Sequence, residues 1–314
     1  MDLQIYAAAC YSNGYISDTR YLKLNDREKQ IVDTLPHILE SWHYVGKQRF
    51  VDIMRRNGAK IFLDSGAFSA YTLGVHLSVA EYCDYIQRNS DIIRVEDGAL
   101  MASVLDGIGD PLQTWRNQLE MEARGVRPLP CFHTGEDERY LEHYIRNYDY
   151  ITLGGMVGKS TQQLMIWLDR IFSRYIVDGS GKPRCKVHAF GITSIPIMEQ
   201  YPWYSCDSSS WIQAAAFGSV VIPNVTSKKS MPIAVSDQSP SRHDAGRHIS
   251  TLTPVEQDFV YRLLEEQGFT YERLSTVYES RAAYNLWAYT AINASVNAMK
   301  AKRDNLKSRV QELF

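Results

Sequence analysis

Residues 60–69 read KIFLDSGAFS, an apolar run that passes straight into a carboxylate and a small-residue turn. The run 60–63 has the length and character of a buried strand, and Asp64-Ser65-Gly66 then lies at its C-terminal end. The same rhythm recurs along the chain. Apolar, β-branched or aromatic runs at 4–9, 103–105, 127–132, 150–153, 186–189, 203–206 and 220–223 mostly end in Gly, Ser, Asp or His. Between them, 27–39, 79–88, 111–124, 138–147 and 161–174 carry apolar residues at three- and four-residue spacing, the helical period. Eight strands alternating with helices predict an α/β chain folded as a (β/α)8 TIM barrel. Such a barrel carries its chemistry at the C-terminal ends of its strands.

Composition agrees with one large folded unit. The chain has 314 residues, a net charge of -2, 22% charged and 45% apolar residues, which excludes disordered and fibrous classes. No run approaches the roughly 18–20 apolar residues that span a bilayer. The start, MDLQIYAAACYSNGY, lacks the basic flank and long apolar stretch of a signal peptide, so a cytoplasmic location and no membrane partner are expected. Cys10, Cys83, Cys131, Cys185 and Cys206 are widely spaced and never form CxxC, which predicts reduced thiols rather than a disulfide framework or a zinc knuckle. Near-zero net charge argues against indiscriminate nucleic-acid binding and leaves room for a local basic face.

The barrel is expected over 1–226, a basic loop over 227–252 and a helical extension over 253–314. Residues 227–248 are rich in Ser, Pro, Lys, Arg and His. Thr253-Pro254-Val255-Glu256 has the pattern of an N-cap followed by Pro and Glu in the first turn, and Gly268 should interrupt the helices that follow. From 280 to the end, six cations (Arg281, Lys300, Lys302, Arg303, Lys307, Arg309) face two acids (Asp304, Glu312).

Five strand-end constellations could carry chemistry. Asp64 stands at the barrel mouth or caps the next helix. Asp106 follows a strand, whereas Asp110-Pro111 has the form of a helix start. His133 is a lone strand-end histidine, either structural or chemical. Gly154-Gly155-Met156-Val157-Gly158-Lys159 fails the phosphate-loop spacing by one residue, but its paired glycines suit a flat ligand lying against main chain. Asp207, among Ser205, Ser208, Ser209 and Ser210, is either a helix cap or a site carboxylate, since a buried unpaired charge is costly.

Taken in order, DSGAF (64–68), LD (105–106), GGMVG (154–158), HAFG (188–191) and CD (206–207) resemble the tRNA-guanine transglycosylase superfamily, whose motifs recur along a (β/α)8 barrel. The tRNA enzymes of that family carry a zinc site of three Cys and a His after the last strands. This chain has no Cys beyond Cys206, so no metal and no cofactor are expected. His133-Thr134 stands where those enzymes have a glutamine. The chain is most similar to the compact, zinc-free DNA-modifying branch of bacteriophages and some bacteria. That resemblance implies exchange of guanine in DNA for a 7-deazaguanine such as preQ0.

The resemblance implies Asp207 as nucleophile at C1′ and Asp64 as acid and then base on the exchanging bases. It implies that Asp106, Ser65, His133, Gly154, Gly155, Met156 and Gly191 surround the base, with Phe68 and Phe190 sandwiching its ring. Lys228, Lys229, Arg242, Arg247, Lys300, Lys302 and Arg303 would contact DNA phosphates, the target guanine being flipped or single-stranded. The alternatives are the same reaction on tRNA, a metal-dependent hydrolase using Asp64, His133, His188 and Asp207 as ligands, or a DNA-binding module without turnover.

Overall fold

The computed structural model describes the backbone of residues 2–192, 194–224 and 229–311, and their side chains except those of 224, 229, 230 and 303–311. The strands among them are β1 (Gln4–Ala8), β2 (Ile38–Ser41), β3 (Phe62–Asp64), β4 (Val95–Glu96), β5 (Ala99–Leu100), β6 (Cys131–His133), β7 (Tyr150–Gly154), β8 (Lys186–Ala189), β9 (Ser205–Ser208), β10 (Ser219–Asn224) and β11 (Lys229–Ala234). Seven form one sheet in the order β3-β2-β1-β9-β8-β7-β6, parallel throughout. The sheet curls, with helices flanking it. Parallel strands need crossover connections, and the helices Val79–Arg88, Pro111–Ala123, Glu138–Asn147 and Thr161–Ile171 stand close to where periodicity places them.

Three expectations are corrected. The helix expected over 27–39 stops at Asp33, because Pro36 disfavours helical backbone at Leu35; residues 38–41 become β2, between β1 and β3. The strand expected at 103–105 is absent as a regular element. Leu63 bridges Ala102, and Ser103 bridges Leu129, as single parallel pairs between the edge strands β3 and β6. The run leaves the β4–β5 hairpin at Leu100 and pairs only at Ala102 and Ser103 before the turn at Ile108-Gly109. The fold is therefore a curled seven-stranded parallel sheet instead of a closed eight-stranded barrel. Finally, the run 220–223 lies in β10, which pairs antiparallel with β11 outside the main sheet. Part of the expected basic loop is thus strand.

The C-terminal helices are not a separate lobe. Thr253 and Glu256 form a capping box on Pro254–Glu266, and Gly268, at φ +80°, ends that segment. The 34-residue helix Tyr278–Gln311 then packs against β1, β10 and the helix Ser210–Ala216. It buries Tyr284, Leu286, Ile292 and Val296 in the main core. Asn297 locks it to β1's approach, accepting from Leu3 N (2.8 Å) and donating to Leu3 O (2.9 Å).

Candidate active site

Asp64 ends β3 directly beside Ser41, its register partner on β2. Its Oδ2 accepts from Ser41 Oγ (2.8 Å) and Gly66 N (2.9 Å), and its Oδ1 from Ser103 Oγ (3.2 Å). Asp64 does not cap the helix Ala67–Thr72, whose N-cap is Gly66 at φ +76°. A Cβ there would lie 2.6 Å from His43 Cβ, so this turn requires glycine. Burial pushes the Asp64 carboxyl up to about 6; Ser41 and Gly66 work against the rise, while the charges of Asp106 and Asp207 add to it. Three strand-end carboxylates therefore share one electrostatic neighbourhood.

Asp207 sits on β9, buried. Its Oδ1 accepts from Gly191 N (3.0 Å) and lies 3.2 Å from His188 Nε2. On the far side of that ring, His188 Nδ1 is 2.6 Å from Ser205 Oγ, which is 2.5 Å from the Tyr150 hydroxyl. A polar chain through the core thus fixes the imidazole that faces the carboxylate. The helix-cap alternative fails, since Ser209 occupies the N-cap of Ser210–Ala216. Gly191, at φ +70°, donates its N–H to Asp207.

Asp106 belongs to a third group. Its Oδ2 is 3.5 Å from His133 Nε2, and its Oδ1 is buried with no hydrogen-bond partner. His133 Nε2 also lies 3.5 Å from Cys131 Sγ, because residues two apart on β6 point to one face. The opposite ring nitrogen, Nδ1, is 3.0 Å from Glu136 Oε1, and Glu136 also accepts from His133 N. Burial opposes a cation on His133, but the Cys131 sulfur and the Asp106 carboxylate outweigh it and hold the imidazole pKa well above its ordinary value. Gly154 leaves room for this group: a Cβ there would approach His133 Cδ2 to 2.6 Å. Asp110 is the helix cap expected, accepting from Gln113 N.

The apolar residues are less uniformly gathered. Phe190 is half-buried against His188 and Phe62, with ring centroids at 4.7 and 6.0 Å, and Met156 is buried. Phe68, by contrast, is 64% exposed. The Gly155 carbonyl is engaged by Thr134 Oγ1 (2.9 Å), and Ser65 N donates to Ser103 Oγ. Sequence reasoning missed Ser41, Ser103, Glu136 and Tyr150 as partners of the site. Asp64, His133, His188 and Asp207 do not assemble as one set of metal ligands; among the described residues the group with ligand atoms close together is Asp106, Cys131 and His133.

Of the expected DNA contacts, Lys228 lies outside the described residues, as do the side chains of Lys229 and Arg303. Arg242 is paired with Asp237, and Lys300 donates to the Tyr201 carbonyl at 3.3 Å. Arg247 and Lys302 are exposed. Arg281 is buried and donates to the carbonyls of Ala215 and Leu274, which removes it from the basic tail. All five cysteines are free, and no helix among the described residues is long and apolar enough to cross a membrane. Comparison of the chain with protein-family models and with curated proteins gave no match.

Proposed function

We propose that this protein is a base-exchange glycosyltransferase that replaces guanine in DNA with a 7-deazaguanine such as preQ0. The observation that carries the proposal is the different setting of two strand-end carboxylates. Asp207 accepts a backbone N–H and faces His188, whereas Asp64 is held by two serines and a backbone N–H, with burial pushing its carboxyl up to about 6. Two carboxylates in such different settings can divide into nucleophile and acid/base. Asp207 attacks C1′ of the target deoxyguanosine and forms a glycosyl ester as the bond to guanine breaks. Asp64 gives its proton to the departing guanine, then takes one from the incoming deazaguanine, whose freed nitrogen attacks C1′ and releases Asp207.

The unpartnered Oδ1 of Asp106 is the acceptor left for N–H groups on the base. In this reading Phe190, Met156 and Gly154-Gly155 would supply the flat-ring side, and the exposed Phe68 would cover it. The run 101–104, bridged to Leu63 and Leu129, lies between the strands that carry Asp64 and His133. The target base is flipped or single-stranded, at a cost of a few kcal/mol. Labelled preQ0 incubated with either DNA or tRNA tests both the reaction and the polymer. Wild-type protein should label DNA and release guanine, and Asp207→Ala should do neither while remaining folded. Normal turnover by Asp207→Ala, or no exchange with DNA, would overturn the proposal.

A further inference from the structure

We infer that Asp106, Cys131 and His133 form a binding site for a divalent metal of borderline softness, zinc above all. Around a tetrahedral zinc, bonds of about 2.0–2.3 Å place neighbouring ligand atoms about 3.3–3.6 Å apart. His133 Nε2 stands 3.5 Å from both Cys131 Sγ and Asp106 Oδ2, and the three ligand atoms lie within 4.8 Å of one another. The His133–Asp106 spacing is long for a direct hydrogen bond, and both spacings match those of groups sharing an ion. A second feature points the same way. His133 Nδ1 is 3.0 Å from Glu136 Oε1, and Glu136 is itself pinned by His133 N. A carboxylate on Nδ1 fixes the ring and leaves Nε2 as the ligand, the usual outer partnership of a metal-bound histidine.

Sulfur, imidazole and one carboxylate favour zinc or cobalt over magnesium or calcium. Binding releases the Cys131 thiol proton to solvent and leaves one tetrahedral position for water. Asp106 would spend Oδ2 on the ion and keep Oδ1 free, so the ion would also fix the orientation of that carboxylate. Gly154, whose missing Cβ leaves space beside His133 and Cys131 Sγ, keeps the backbone clear of the site.

The site does not depend on base exchange, and its test does not use activity. The full chain, purified without chelators, should carry about one zinc per molecule, measured by elemental analysis. Cobalt exchanged into the emptied protein should give tetrahedral ligand-field bands and a thiolate charge-transfer band. Cys131→Ser should abolish the charge-transfer band, with circular dichroism confirming its fold. Glu136→Gln, which leaves all three ligands in place, should weaken metal affinity about 10–100-fold. Substoichiometric zinc in the wild-type protein together with no cobalt spectrum would overturn the inference. So would a charge-transfer band that survives Cys131→Ser, or unchanged affinity in Glu136→Gln. None of these outcomes touches Asp207, so failure here is distinguishable from failure of the exchange reaction.

Discussion

Asp64→Asn probes the stored electrostatic cost at the site most directly. The carboxyl titrates at 3.8 in its ordinary setting and is pushed up to about 6 here, so the folded chain binds the proton more tightly than the unfolded chain. That preference favours folding in full below 3.8 and is lost as pH rises through about 6. A gap of about two pH units corresponds to about 3 kcal/mol, and screening at the partly exposed edge reduces this to about 2. Asparagine is neutral throughout. Its oxygen can take the bonds from Ser41 and Gly66, and its amide can meet Ser103. Urea denaturation of both proteins at pH 4 and pH 8 measures the effect, since any pH-independent loss cancels between the two. Relative to wild type, the variant should gain about 2 kcal/mol between pH 4 and pH 8 while losing guanine release. A stability difference that stays constant across that range would refute the account of Asp64 as a carboxyl raised by burial and its neighbours.

Gly191→Ala puts a side chain at φ +70° and a Cβ 2.7 Å from Val157 Cγ2, so thermal and urea denaturation should show a loss of about 1–2 kcal/mol, with slower exchange as the N–H shifts from Asp207. Glu40 is fully buried and accepts from Tyr11 N and Ser12 N, so Glu40→Ala should cost about 2–4 kcal/mol in urea denaturation by stranding those donors. For the polymer, Arg247→Ala and Lys302→Ala should each lower the slope of log DNA affinity against log salt by about 0.7–0.9 in binding titrations. Arg281→Ala should leave that slope unchanged, because its guanidinium is buried against backbone carbonyls.

The strand ends were legible because burial on both faces makes a parallel strand a short apolar run, and a polar residue then marks its exit. Asp64, Asp106, His133 and Asp207 stand out on that ground alone. β2 was hidden by Glu40, a charged residue fully buried in the middle of the strand, and by helical spacing that ran on through Pro36; the proline was the available signal. β10 has the same local character as a sheet strand, and only its antiparallel pairing with β11 sets it outside the main sheet. Ser41 and Ser103 meet Asp64 across separations of 23 and 39 residues, and Asp106 meets His133 through space, so no local pattern could disclose these partners.

The place of β1 in the sheet has a consequence for synthesis. Its neighbours are β2, close in sequence, and β9, with Gln4 opposite Ser205, so one side of the first strand waits for a partner made about 200 residues later. At about 5–20 residues per second, the ribosome leaves that backbone edge unpaired for about 10–40 s. During that interval the nascent chain exposes an apolar strand with open donors and acceptors, the kind of surface that invites pairing with other chains. A stall upstream of residue 205 would prolong that exposure.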